Sequence, residues 1–481
     1  MPKLSSDADT APAAPRWITA IDIVCAVLLI FAIIAMVSRG VRISVATDVD
    51  LSFTSWPRLL MWIAVLLALR HWRWRERPWH ATVFGWLRAC LRNEAFRAAW
   101  PAFILSRVSV LIVAYVAVVM IGFSPPRPWR ALDNNVLDLY ARWDAGWYYM
   151  IANVGYNATT IINPQRQNSI VFFPGFPMTM RYLGSWFHLN KWIAGIIIVI
   201  VAFLFGLIYL YRLAREDLPP DQARAALAFL AFYPFAVCYN AILTESLFLL
   251  VGAATFFYFR RRRLVVAGAL ALFVGLLRPN GFLFAGPLGL LAWLPFARGR
   301  GWLPGSTADG DARWLPLVGG ITVALLPIAG MLIYSANVYS MTGDPFAWVK
   351  AQQGWGRSTA GILKVIEARR ALIAADGLGG YAIQYPTEIL EFGAALFALV
   401  AIWPITRRFG AAYGLFVALS VVPPLITMGS LSLGRFTAPL FPLFLWLGAA
   451  VPEQHRPYWL AAFGMGQGLV AVLFFTWRPP Y

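Results

Sequence analysis

Charge is scarce in this chain. Only 13% of its 481 residues are charged and 60% are hydrophobic, against about a quarter charged and about half apolar in a soluble globular protein. With a mean hydropathy of +0.65, the apolar surface exceeds what one water-soluble core can hide, so part of the solvent must be lipid. Acidic residues are rarest: 22 Asp and Glu stand against 40 Lys and Arg, a formal charge of +18. Such an excess fits cytoplasmic loops lying against anionic headgroups. Without a folded nucleic-acid reader, no nucleic acid is expected as a partner. Membrane lipids are.

Cysteine and histidine are also few. The three cysteines, Cys25, Cys90 and Cys238, have no metal-ligand spacing, and two lie in apolar stretches, which argues against a disulfide framework or a zinc site. Of four histidines, only His188 falls on the side expected to face outward, so histidine-based catalysis or metal binding has little support. No P-loop, dinucleotide-type glycine fingerprint, H-E-x-x-H or nucleophile elbow is present. Neither a cofactor nor a metal ion is expected, although Asp144, Glu245 and Asp344 are acidic residues that can in principle gather around a cation. A cleavable leader is not expected either. The apolar run from Trp17 to Val37 is too long for one and lacks a small-residue cleavage site after it.

What is abundant is apolar sequence in stretches near the roughly 20 residues that cross a bilayer as a helix. About thirteen such stretches are expected, near 17–38, 56–70, 100–122, 190–211, 222–240, 246–259, 264–278, 281–297, 315–338, 389–405, 410–428, 436–450 and 457–476. The fold class is therefore all-α, a polytopic transmembrane helical bundle, with the pair around Arg278-Pro279-Asn280-Gly281 open to being a broken or re-entrant element. With thirteen crossings the basic clusters share the N-terminal side: seven arginines between Arg70 and Arg97, Arg212 to Arg224, Arg260 to Arg263, Arg298 to Arg313, and Arg407 with Arg408. The positive-inside rule makes that side cytoplasmic. Two long connections, about 123–189 and 339–388, then face outward, the first rich in aromatics and expected to carry interfacial helices. Residues 1–99 are expected to form a tail and two-helix hairpin with a basic cytoplasmic link, and residues 100–481 the core.

The residues able to do chemistry cluster on the expected outer side. In Arg142-Trp143-Asp144-Ala145-Gly146-Trp147-Tyr148, a helical reading puts Asp144, Trp147, Tyr148 and Ile151 on one face. A carboxylate beside indole rings is placed to accept a proton, and Trp147 and Tyr148 offer faces and polar tips for a sugar. The same pattern also describes an interfacial anchor helix in which Asp144 pairs with Arg142. Glu245, in Thr244-Glu245-Ser246, lies between two apolar stretches, where an ionisable group is costly and often functional. Capping the helix that follows is its plainer role. Arg278 and Arg435 adjoin apolar spans, while Lys350 and Arg357 lie in Gly343–Arg357. Each can snorkel to headgroups, and together they suit a phosphate.

Taken in order, these segments resemble the PIG-V family of GT-C-type membrane mannosyltransferases. The resemblance rests on Arg142–Tyr156, Phe172–Pro177, Tyr233–Leu247, Arg278–Gly281, Gly343–Arg357 and Gly434-Arg435-Phe436, and covers roughly 100–450. It implies a GT-C-like core and inverting transfer of mannose from a polyprenyl-phosphate donor to a glycolipid, glycan or protein acceptor. It also implies Asp144 as general base; around that base, Arg435, Arg278, Lys350 and Arg357 are expected on the donor phosphate, and Trp147, Tyr148, Arg142, Glu245 and Asn280 around sugar and acceptor. The first two helices precede the usual start of such a fold, and Gly175 stands where relatives carry a bulkier residue. Arg, Ala and Trp richness points to a bacterial plasma membrane and away from a eukaryotic acceptor. A flippase of a lipid-linked sugar, a GT-C enzyme using another sugar such as arabinofuranose, and a non-catalytic scaffold are the competing readings.

Overall fold

Lipid cannot hydrogen-bond a peptide group, so an apolar run entering a bilayer must satisfy its backbone internally. The computed structural model obeys that rule. Among the described residues its regular structure is helical except for one short antiparallel hairpin, Val41–Ala46 with Val49–Phe53. The structure describes residues 15–38, 41–46, 49–53, 56–73, 79, 85, 91–125, 129–156, 167–303, 314–355, 361–428 and 432–478.

Each of the thirteen apolar stretches falls on helical sequence, with 222–240 and 436–450 each divided between two elements. Among the described residues, six helices are long and apolar enough to cross a bilayer: Glu94–Met120, Lys191–Ala214, Pro279–Gly299, Trp314–Thr342, Pro386–Phe409 and Glu453–Phe475. The bent pair Pro234–Asn240 and Glu245–Arg260 makes a seventh if it counts as one span. The chain is a multi-pass membrane protein, and the described residues do not establish the expected count of thirteen crossings. Leu264–Leu277, Ala411–Ile426 and Phe441–Ala450 are apolar but shorter, and at about 1.5 Å per residue such helices fall short of a core about 30 Å thick.

The chain divides into two compact units, residues 1–97 with 181–194, and residues 98–180 with 195–481. In the first, helices Arg16–Ser38 and Trp56–Arg73 flank the hairpin. Asp22 and Arg70 meet between these helices at 2.6 and 3.2 Å, each 1% exposed.

The second unit carries two interruptions that decide where its polar groups go. The stretch expected as one span over 222–240 is broken. Helix Pro220–Phe232 stops at Tyr233, because Pro234 has no N–H to continue it. A 3-10 run, Pro234–Asn240, follows, and Glu245–Arg260 leaves it at a 102° bend. The carbonyls freed by the break are taken up by side chains from elsewhere. Ala231 receives Nη2 of Arg107 and Nε2 of Gln467, both at 2.9 Å. Ala236 receives Nη1 of Arg107 at 2.9 Å, and Tyr233 receives Gln467 at 3.1 Å.

The second interruption is at Arg278, whose extended backbone separates helix Leu264–Leu277 from a 3-10 run, Pro279–Phe284, that leads into helix Ala285–Gly299. Helix Leu264–Leu277 lies hard against Trp314–Thr342. A Cβ on Gly275 would come within 2.0 Å of the Pro327 carbonyl oxygen, and one on Gly330 within 2.2 Å of that of Leu272. Small residues let two backbones meet where lipid supplies no hydrophobic drive. Beneath the interruption, Phe256, Phe284, Phe416 and Phe441 interlock, with Phe284 and Phe416 ring centroids 4.7 Å apart.

The connection over 123–189 folds into short helices Asn135–Asp138, Ala145–Val154 and Gly175–Trp186. The connection over 339–388 holds Ala347–Lys350, a 3-10 turn Ala351–Trp355, and Gly361–Gln384, kinked at Gly377.

Candidate active site

Asp144 is turned into the second unit by the residues before it. Arg142 is 1% exposed and gives its guanidinium to Asp138 Oδ2 (3.1 Å), to the carbonyls of Asp138 and Ala141 (2.5 and 2.9 Å), and to that of Phe475 (3.2 Å). Trp143 takes a left-handed φ of 54° and donates its indole N–H to the Phe474 carbonyl at 3.0 Å. Helix Ala145–Val154 then starts with the Asp144 carbonyl accepting from Trp147 and Tyr148, which leaves the Asp144 carboxylate free of any capping bond.

That carboxylate meets Arg435, with Oδ2 2.5 Å from Nη1. The Nε of Arg435 reaches Glu245 Oε1 at 2.6 Å, and the same oxygen lies 3.2 Å from Nη1 of Arg278. Arg278 is also held over the rings of Phe436 and Phe248, at 4.9 and 5.4 Å. Four charges from four distant segments thus alternate in sign as Asp144, Arg435, Glu245 and Arg278. Exposure is graded along the chain of charges. The Glu245 side chain is closed to solvent, the arginines are 7% and 9% exposed, and Asp144 is 26% exposed. Asp144 is therefore the open end, and Glu245, between the two arginines, is the most enclosed member.

Polar capacity is left over. Glu245 Oε2, Asn280 Oδ1, Thr244 Oγ1 and Ser246 Oγ have no hydrogen-bond partner among the described residues. The capping role open to Thr244 is not used, since its side chain makes no cap bond. Glu245 serves the two arginines instead. Unpaired buried polar atoms are rare in native proteins and call for a ligand or water.

Beside Asp144, Tyr148 is buried between the edges of Phe172 and Phe176, at 5.2 and 5.1 Å. Burial pushes its phenol well above the ordinary value, and the positive charge of Arg435 only partly opposes this. Trp147 stacks on Phe172 (5.8 Å, 16°) and meets the edge of Trp355 at 5.3 Å. The connection over 123–189 thus touches that over 339–388 through aromatic rings.

The residues read from the sequence divide accordingly. Asp144, Glu245, Arg278 and Arg435 come together, with Tyr148 and Trp147 in the adjoining wall. Asn280 lies on the 3-10 turn directly after Arg278. Arg142 does not join them, and it is not the partner of Asp144. Its guanidinium is spent on anchoring its own loop, which leaves it unsuited to the acceptor contact expected of it. Lys350 stays apart too, 73% exposed and paired with Asp344 at 2.6 Å. That bond holds the Asp344 carboxyl below the usual range. Among the described residues neither Lys350 nor Asp344 has an ion pair with Asp144, Glu245, Arg278 or Arg435. Arg357 lies outside the described residues. No metal-binding group of three or more His, Cys, Asp or Glu occurs among the described residues.

Sequence reasoning passed over Glu391, whose Oε2 accepts the backbone N–H of Gly434, next to Arg435. It also passed over Arg107. A signal existed for both. Each is a charged residue inside an apolar stretch, at 1% and 7% exposure.

No family model matches the chain, and no curated protein matches it by sequence. Among solved structures it is similar to the oligosaccharyltransferase of Archaeoglobus fulgidus. The likeness to the apo form has 14% identity and a TM-score of 0.42, covering 78% of this chain and 56% of that one. To the complex with zinc and sulfate the values are 14%, 0.37, 78% and 53%. To the complex with an inhibitory peptide and a dolichol-phosphate they are 12%, 0.37, 78% and 56%. The chain spans about half the length of the solved proteins it matches. At that distance the likeness assigns no activity to this chain.

Proposed function

We propose that the chain is an inverting glycosyltransferase that moves a sugar, mannose, from a polyprenyl-phosphate donor to a glycolipid, glycan or protein acceptor. The site works at the extracytoplasmic face of a bacterial plasma membrane, with the N-terminus inside. The observation that carries this reading is the alternating network of Asp144, Arg435, Glu245 and Arg278, open only at Asp144.

In the reaction, the acceptor hydroxyl attacks the anomeric carbon of the donor in line. The new C–O bond forms as the bond from that carbon to the phosphate oxygen breaks. Asp144 takes the hydroxyl proton, because it is the exposed carboxylate of the network. The bond electrons leave with the phosphate, whose growing charge is met by Arg435 and Arg278. Both arginines are pre-positioned by Glu245, which bridges them without facing solvent. Preorganised charge needs no rearrangement as the leaving group departs, which is where such groups stabilise a transition state most. Tyr148 and Trp147 supply the sugar-facing wall, and the unpaired Asn280 Oδ1 is an acceptor for a hydroxyl. A polyprenyl phosphate leaves without help from a nucleotide, in keeping with a chain that has no nucleotide motif.

The test is transfer by the purified protein. Polyprenyl-phosphate-mannose, added with membranes from a deletion strain as acceptor, should lose its mannose to the acceptor fraction. Asp144→Asn should insert and fold normally and lose activity by about 10²–10⁴-fold, the usual weight of a positioned general base. Normal turnover by that variant would refute the assignment. Lipid movement across the membrane with no new glycosidic bond would favour a flippase.

A further inference from the structure

Arg435 occupies a five-residue helix, Leu433–Thr437, which is too short to hold itself together. Its entry is unfavourable as well, since Ser432 sits at φ 61°, in the left-handed region that non-glycine residues avoid. Something outside must fix this turn. Part of the answer is the 3-10 run Pro234–Asn240 and its preceding tyrosine. The Tyr233 hydroxyl bonds Thr437 Oγ1 at 2.8 Å, and the Tyr239 hydroxyl donates to the Ala438 carbonyl at 2.8 Å. Those bonds hold the far end. At the near end, a Cβ on Gly434 would fall 2.2 Å from the Phe235 ring, so the backbone rests directly on it. The opposing grip is Glu391, on helix Pro386–Phe409, whose Oε2 accepts the Gly434 N–H.

We infer that Glu391 is a positioning residue for Arg435. It sets the guanidinium by clamping the peptide group one residue away against the Phe235 ring. This rests on the glycosyltransferase reading above. Three features separate it from an ordinary helix contact. Glu391 is 1% exposed in a helix able to cross the membrane, where a carboxyl group is expensive to keep. The N–H it binds belongs to the residue preceding the arginine that holds both Asp144 and Glu245. Its second oxygen, Oε1, has no hydrogen-bond partner among the described residues, so no second bond among them accounts for the side chain.

One neutral carbonyl acceptor at the right reach is all the clamp requires, which separates geometry from charge. Glu391→Gln keeps an oxygen at the same reach and should retain kcat within about threefold. Glu391→Asp keeps the carboxyl but withdraws it by one methylene. It should lower kcat by about ten- to a hundredfold, since displacement by about 1 Å at a catalytic group costs on that order. The donor KM should move far less, because the arginine matters most as charge develops on the phosphate. Both variants are assayed as full chains in micelles with polyprenyl-phosphate-mannose, normalised to folded protein by gel filtration, beside Arg435→Ala. A reversed order, with Asp active and Gln inactive, would mean that the charge of Glu391 matters and would overturn the inference. Equal activity of both variants per folded molecule would reduce Glu391 to a packing contact and overturn it too. Full activity in Arg435→Ala would instead bring down the glycosyltransferase reading, whatever the Glu391 variants do.

Discussion

The two units each bury opposite charges, and they do so differently. In the first, Asp22 and Arg70 form a pair in which both carboxylate oxygens are used and both side chains are 1% exposed. In the second, two acids and two arginines form an open chain of contacts. One end is 26% exposed, and polar atoms along it lack partners among the described residues. Both arrangements bear the desolvation cost of charge in an apolar medium. A closed pair has little capacity left for a ligand and reads as a strut. A network with leftover bonding capacity and a solvent gradient reads as a site waiting for its substrate.

This contrast can be broken by experiment. The largest effect is expected at Arg435. Arg435→Ala removes the arginine that joins Asp144 to Glu245 and should cut transfer by about 10²–10³-fold, the usual loss on removing a preorganised electrostatic group. Comparing kcat with donor KM on folded protein checks that the loss is catalytic. Next comes the closed pair. Asp22→Ala removes the carboxylate that pairs with Arg70 and should destabilise the first unit by about 3–5 kcal/mol, read as a lowered Tm, with transfer per folded molecule unchanged. Replacing both members with apolar residues, Asp22→Leu with Arg70→Met, should recover most of that stability, since a buried pair is often no better than apolar packing. Recovery of activity by an analogous apolar double replacement of Asp144 and Arg435 would erase the distinction between the two regions. The smallest effect belongs to Lys350→Ala. Its exposed bond to Asp344 predicts no measurable shift in Tm and transfer within about twofold. A hundredfold loss there would restore Lys350 to the phosphate site.

Much of this was legible in the sequence because charge is so rare in it. An apolar chain can tolerate few carboxylates and guanidiniums away from its loops, so Asp144, Glu245, Arg278 and Arg435 each stood out, and the helices followed from hydropathy alone. Pairing was not legible. Arg142 is two residues from Asp144, yet the left-handed Trp143 between them sends the two side chains to different partners, and a single φ leaves little trace in composition. The break at Tyr233 had a visible cause in Pro234. It was missed because the apolar run continues through it, and the groups that compensate, Arg107 and Gln467, are over a hundred and over two hundred residues away. Glu391 was absorbed into an apolar stretch for the same reason. Hydropathy averages over a window and hides the lone carboxyl that a residue-by-residue reading would have caught.

For the proposed transfer Asp144 must open to the extracytoplasmic side, beside the lipid-borne phosphate. It is tested most directly by placing cysteine there, as Asp144→Cys in a chain with Cys25, Cys90 and Cys238 replaced by alanine. A membrane-impermeant maleimide added to intact cells should label that thiol, and polyprenyl-phosphate-mannose added to purified protein should shield it. Labelling only after the membrane is permeabilised, or labelling indifferent to the donor, would contradict it.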